Sequence, residues 1–234
     1  MSGRAGQASL VVVDGIESKP AAAETASSLR DAAYAAIKHR ITTCAFKPGE
    51  FLNEAAISAA LGIGRTPVHQ AIDRLMLEGM LDVMPRKGVI VRPVSLDEVM
   101  QIIEVRLLNE CPAVRLATER ADADELAHLT DILARAEQWM PTRNSEQMML
   151  LDREFHATIA RAAKNDVLAD ILGKLQDRSL RFWFLSLTAP GHHASVQDQH
   201  TAIVEAMKDR DADRADAAMR AHIEAFRSNV ARYI

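Results

Sequence analysis

Four side chains in the second half of the sequence have the types and spacing to hold a divalent cation. Asp152 and His156 stand four residues apart, so on a helix a carboxylate and an imidazole project from one face, one turn apart, within reach of a single ion. His200 and His222 lie in Gln199-His200-Thr201-Ala202-Ile203-Val204 and Ala221-His222-Ile223, each beside apolar positions. Antiparallel packing of these two segments would turn both rings inward. Burying four such groups without a shared partner leaves unsatisfied polar atoms at ~1–3 kcal/mol each, and a metal ion removes that penalty. An Asp and a His at this spacing also make an ordinary surface pair, so the two further histidines carry the weight. The other histidines, His39, His69, His128, His192 and His193, fall on polar or loop stretches and read as surface imidazoles.

A second group suits a polyanion. Gly64-Arg65-Thr66-Pro67-Val68-His69-Gln70 presents Arg65, Thr66, His69 and Gln70 as donors in the first turns of a helix, where the major groove of DNA offers base edges. Arg86, Lys87 and Gly88 fall at the tip of a hairpin, where two cations on a thin backbone suit a minor groove and its flanking phosphates. Each pattern alone is a commonplace, a solvated helix start or a plain turn, and their order along the chain is what informs.

The elements that must position these groups are legible from periodicity and punctuation. Residues 1–27, rich in Ala, Ser and Gly, read as a flexible tail. From Ser27-Ser28, the apolar positions Leu29, Ala33, Ile37 and Ile41 mark a first helix, ended by Phe46-Lys47-Pro48-Gly49-Glu50. Leu52-Asn53-Glu54 opens a short second helix with Asn53 able to cap it, and Leu61-Gly62-Ile63-Gly64 is a glycine turn. A third helix starts near Thr66-Pro67 and ends at Glu78-Gly79. Leu81–Met84 and Val89–Val91, split by Pro85-Arg86-Lys87-Gly88, form a hairpin. Three short helices and a hairpin are the parts of a winged helix-turn-helix. Beyond Pro93 the pattern is helical in about six segments, near 95–121, 122–140, 145–163, 166–187, 193–209 and 212–232, with a capping box at Ser95-Leu96-Asp97-Glu98 and Asn144 or Ser145 capping the third. The expected fold is mainly α, a winged helix-turn-helix over 28–94 followed by an all-α bundle over 95–234.

Composition supports two units of different character. The 234 residues are 48% hydrophobic and 26% charged, enough for real cores, and no apolar run approaches the roughly 20 residues of a spanning helix. With no signal-peptide core, a cytoplasmic chain is expected. Residues 28–94 hold nine Lys/Arg against six acids, whereas 95–234 hold 17 against 23, so a net charge of −4 hides a basic half and an acidic half. Cys44 and Cys111 form neither a disulfide framework nor a clustered metal site and read as packing.

At this point the sequence resembles a known family. Lys47-Pro48-Gly49-Glu50, Leu52-Asn53-Glu54, Leu61-Gly62, Arg65-Thr66-Pro67-Val68, Ala71, Arg74-Leu75 and Glu78-Gly79 are similar to the GntR family of bacterial repressors over residues 29–92. That family usually carries Ser-Arg-Thr-Pro-Val-Arg-Glu in the recognition segment and an Arg after the Glu of the second helix. Gly64, His69, Gln70 and Ala55 stand in those places here, so two customary arginines are missing, while Arg65, Thr66 and Gly88 match. Over roughly 97–230, Glu104-Val105-Arg106 with Glu110, Asp152-Arg153-Glu154-Phe155-His156, Asn165, His200 with Ala206, and His222 resemble the FCD effector domain of the FadR subfamily. The resemblance implies a divalent metal on Asp152, His156, His200 and His222, with zinc first and nickel, manganese or iron as alternatives. It also implies Arg106 against the carboxylate of a small organic-acid effector, its plain alternative being an ion pair with Glu104 or Glu110. Arg181 is a further effector candidate, and Phe182, Trp183, Phe184, Met148 and Met149 either line the cavity or pack the core.

The resulting expectation is a homodimeric, DNA-binding transcriptional regulator, a repressor of a palindromic double-stranded operator, modulated by a small carboxylate bound at the metal. Linker residues 93–99 are the expected place of coupling. Two alternatives stand beside it: a metal-dependent hydrolase, for which Glu154 points to the wrong helix face and no general base is obvious, and a regulator that senses the metal itself.

Overall fold

The computed structural model describes residues 20–93, 95–142, 144–186 and 192–230. The chain runs α1 (Pro20–Thr42), β1 (Phe51–Leu52), α2 (Glu54–Leu61), α3 (Arg65–Leu77), β2 (Leu81–Met84) and β3 (Gly88–Val91). It continues through α4 (Leu96–Arg120), α5 (Ala123–Trp139), α6 (Ser145–Ala162), α7 (Asp166–Ser186), α8 (His192–Lys208) and α9 (Ala212–Val230). Two separate apolar cores form. One gathers Ile37, Ile41, Ile72, Leu75 and Met80 under the small sheet, and the other gathers Ile103, Val114, Leu129, Phe155, Ile203 and Ile223 inside the helices that follow. Among the described residues no helix is long and apolar enough to cross a membrane.

The first helix begins at Pro20, so residues 20–27 are helical where an unstructured tail was expected; residues 1–19 of that tail lie outside the described residues. Ala21-Ala22-Ala23-Glu24 explains the extension, since these are strong helix formers behind a proline that suits a first turn. Asn53 caps α2 as read, its Oδ1 accepting from the N–H groups of Ala55 and Ala56, and Gly62 ends that helix at a φ of 64°, a left-handed conformation that glycine adopts without strain. The strand Phe51–Leu52 was not anticipated. It pairs antiparallel with β3 (Phe51↔Ile90, Leu52↔Val89), giving a three-stranded sheet ordered β1-β3-β2 in place of a lone hairpin. Two residues are too few to show a period, so sequence pattern could not separate them from the helix start that follows.

In the helical half, α4 packs along α9, α9 against α8, and α6 against both α5 and α7. The expected capping box at Ser95 is half made: Ser95 Oγ accepts from the Glu98 N–H, but the Glu98 carboxylate turns to Arg178. The reciprocal box forms at Asp122 and Glu125. Asn144, rather than Ser145, caps α6 by accepting from the Gln147 N–H at 3.1 Å. Helix α7 runs unbroken to Ser186, and the expected break at Pro190-Gly191 lies outside the described residues, as do the side chains of Trp183 and Phe184. Phe182 is buried, and Met148 and Met149 sit in the bundle core.

Candidate metal centre and nucleic-acid interface

Helix α6 presents Asp152 and His156 from one face, α8 presents His200 and α9 presents His222, and all four side chains are buried. One ligand atom from each lies within 4.8 Å of the others. The four residues that the sequence singled out are thus brought together by three helices. Burial pushes the His200 and His222 rings well below their ordinary pKa and raises the Asp152 carboxyl.

The surrounding hydrogen bonds fix which atoms face the centre. His156 Nδ1 lies 2.8 Å from the Glu110 carboxylate and must donate to it, and His222 Nδ1 lies 2.9 Å from Gln199 Oε1 and donates likewise. Their Nε2 atoms therefore turn to each other, 3.2 Å apart. Two such nitrogens need something positive between them. Asp152 Oδ1, 3.6 Å from His200 Nε2, and His200 Nε2 itself are buried with no hydrogen-bond partner, while Asp152 Oδ2 accepts from Gln176 Nε2 at 3.0 Å. A shared proton would satisfy two of these four atoms. Four donors converging on one point, three nitrogens and a carboxylate oxygen, are a coordination set, and each of Asp152, His156 and His222 has the outer partner that orients metal ligands. The residues present fit a divalent cation and could hold one.

Arg106 is buried beside this cluster with its Nε bonded to Glu110, the plainer of its two expected roles. Burial alone would raise the Glu110 carboxyl, but Arg106 and His156 outweigh it and hold it well below the usual carboxylate range. Arg106 also lines a narrow cleft with Asp152, Gln199, His222 and Phe226, and so keeps a face toward the ligand atoms. A wider cavity of about 450 Å³ lies on the Glu110 side of His156, between α6 and α7, with Arg153 and Arg161 on its wall. Arg181 does not reach the cluster. It is fully buried at the boundary between the two cores, donating to the Arg92 carbonyl at 3.0 Å. The spacing of α7 put Arg181 inward correctly but could not say toward which neighbour. Glu154 bonds Arg135 and His128 on another face. Sequence reasoning missed Gln176 and Gln199, because a glutamine in a helix carries no signal of its own. Cys111 is buried with its thiol pushed up to about 11, and burial raises the Cys44 thiol as well, which disfavours both thiolates.

In the first half, Val68, Ala71, Ile72 and Leu75 hold α3 to its core and leave Arg65, Thr66, His69 and Gln70 exposed on the outer face. Gly64 caps α3 without a side-chain bond, a departure from a capping serine that costs only about a few tenths of a kcal/mol. His69 is not bare: its Nδ1 lies 3.2 Å from Glu54 and its Nε2 3.7 Å from Asp73, and these carboxylates raise its pKa. Arg86, Lys87 and Gly88 form the exposed hairpin tip, where Gly88 adopts a φ of 96° that a side chain would strain. A concavity of about 530 Å³ joins Arg65, Lys87 and Gly88 across Phe51–Ala55, so the helix start and the wing tip share one surface. Phe51 and Ala55, absent from the expected contacts, lie between them.

A winged helix-turn-helix joined to a helical bundle is the architecture of a DNA-binding regulator. Comparison with known proteins places it further. Residues 29–91 match the model for bacterial regulatory proteins of the gntR family, and residues 101–225 match the FCD domain. The chain is 32% identical over 181 residues to the Nta operon transcriptional regulator of Aminobacter aminovorans, covering 76% of this chain and 83% of that protein. It is 23% identical to the HTH-type transcriptional repressor RspR of Escherichia coli K12, covering 84% and 86%. Among solved structures, E. coli McbR/YncC superposes with a TM-score of 0.81 at 23% identity over 88% of this chain and 98% of that one. A putative GntR regulator from Rhodococcus sp. RHA1 gives 0.74 at 19% identity over 91% and 98%. The chain belongs to the GntR family, with an FCD domain as its C-terminal half. It is a DNA-binding transcriptional regulator and not an enzyme, and the hydrolase alternative is not favoured.

Removing one partner of the buried Arg106–Glu110 pair leaves the other charge uncompensated. Glu110→Ala is expected to destabilise the protein by about 3–5 kcal/mol, read from the shift of its urea unfolding curve.

Proposed function

We propose that the protein is a homodimeric repressor of the FadR subfamily whose grip on a palindromic operator is set by a small organic acid bound at a divalent metal. The observation that carries this reading is the convergence of Asp152 Oδ1 and the Nε2 atoms of His156, His200 and His222, two of them buried without a partner. Three imidazoles and one carboxylate suit zinc first, with nickel, manganese or iron as alternatives. A site with only four protein ligands leaves room for a carboxylate in the metal's shell, and the metal supplies the charge that holds it. Arg106, on the cleft that opens onto the ligand atoms, is the residue proposed to meet the acid's other end.

On the DNA side, Arg65, Thr66, His69 and Gln70 are proposed to enter the major groove, and Arg86, Lys87 and Gly88 the minor groove. Their shared concave surface supports this, as does the basic surplus of residues 28–94. Glu54 and Asp73 compete for His69, so that side chain must leave its carboxylates to read a base. Ala55, where the family carries an arginine, gives up one phosphate contact. Val105 and Leu108, exposed apolar residues on α4, are available to a second copy. Bound to DNA, the protein would work in the cytoplasm.

Elemental analysis of the purified protein should find about one metal per chain, and thermal shifts against a panel of carboxylic acids should show stabilisation by a particular acid that chelation abolishes. His200→Ala should lose both; unchanged metal content in that variant would displace the site. On a duplex selected from a random library by the wild-type protein, Arg65→Ala should lose specific binding while the bundle stays folded. Ala55→Arg should instead tighten binding to all sequences and steepen its salt dependence by about one counterion. Retained specificity in Arg65→Ala would remove α3 as the reading helix.

A further inference from the structure

We propose that Lys38 is the positioning residue through which the metal centre governs the recognition helix, by way of α7 and not of the linker. The inference rests on the metal reading above for its trigger and on the observed side-chain contacts for its route.

The route starts where α6 and α7 are cross-linked by two adjacent pairs. Asp152 Oδ2 accepts from Gln176 Nε2 at 3.0 Å, and the next residue on each helix repeats the pattern, with Arg153 Nε donating to Asp177 Oδ1 at 2.8 Å. A ligand of the proposed metal and the outer Arg153–Asp177 pair therefore fix the same stretch of α7. The other oxygen of Asp177 pairs with Lys38 of α1. Lys38 in turn donates to Glu78 Oε2 at 3.0 Å and to the Tyr34 hydroxyl at 2.6 Å, and Tyr34 donates to Glu78 at 2.8 Å. Glu78 is the C-cap residue of α3 and accepts from Arg74 of that helix, whose guanidinium lies 3.7 Å from the centre of the Tyr34 ring. Every link from Asp152 to the end of the recognition helix is a direct polar contact or a step to the adjacent residue on one helix.

Two features make this route the mechanical one. A cavity of about 470 Å³, lined by Tyr34, Lys38 and Glu78 from one half and by Arg153, Gly173 and Asp177 from the other, leaves this face of the boundary thinly packed. Where apolar packing is thin, a few ionic links carry the connection between rigid helices. The second feature is that α7 also holds the linker, through Arg178 to Glu98 and Arg181 to the Arg92 carbonyl. A shift of α7 thus moves the linker and Lys38 together, and Lys38 is the branch that ends on α3.

Hydrogen exchange on the full-length protein tests this, with Zn²⁺ alone as the probe. Zn²⁺ is expected to slow exchange in α6, α8 and α9, and also to change it by about fivefold or more at residues 74–80. In Lys38→Met the bundle response should persist, which shows the variant is folded and loaded, while the response at 74–80 disappears. Asp177→Asn, which cuts the same link from the other side, should behave alike. A Zn²⁺ response at 74–80 that survives both substitutions, or that is absent from the wild type while the bundle responds, overturns the relay. If Zn²⁺ leaves the bundle itself unchanged, the metal reading falls and a second arm decides the relay. Gln176→Leu should then alter exchange at 74–80 in the wild-type background and not beside Lys38→Met, and an effect in both backgrounds or in neither refutes it.

Discussion

The helical half is organised around a charge almost wholly removed from water. Arg106 is buried in the bundle, and a guanidinium there is tolerable only because Glu110, one turn on, receives it. Glu110 also orients a ring, since its other oxygen takes the Nδ1 proton of His156 and so fixes which nitrogen that imidazole turns to the centre. The tautomer of His156 and the direction of its Nε2 both follow from one buried ion pair. Gln199 does for His222 what Glu110 does for His156, and Gln176 pins the carboxylate of Asp152. The cluster is preorganised by neighbours that would never touch an ion themselves.

The DNA-reading half is built the other way round. Its core is apolar and its functional side chains are exposed, held by backbone geometry instead of by partners. The glycine at the wing tip and the helix that presents Arg65 set positions, while Glu54 and Asp73 temper the one histidine on the reading face. Ala55 and His69, where the family carries arginines, sit exposed on this surface without altering its frame. Between the halves, α7 carries Gln176, Asp177, Arg178 and Arg181 within two turns, so the same segment touches the Asp/His cluster, the first helix and the linker.

Much of this is written in local pattern. Helical period and punctuation mark the six bundle helices to within a few residues, because each carries an apolar stripe and ends on a recognisable Asn, Asp or turn. The Asp152 and His156 pair was legible because four residues is one helical turn. His200 and His222 were legible because each sits beside apolar positions that pack inward. The remainder came only with packing. Whether Arg106 meets Glu104 or Glu110, and whether Arg181 faces the cluster or the linker, depends on which helix packs alongside, and spacing within one helix does not contain that. The strand at Phe51–Leu52 exists only because β3 lies beside it, and Gln176, Gln199 and Lys38 acquire roles only from partners 23 to 40 residues or more away in the chain. Local pattern fixes which face of a helix is inward; only the packed chain fixes what waits there.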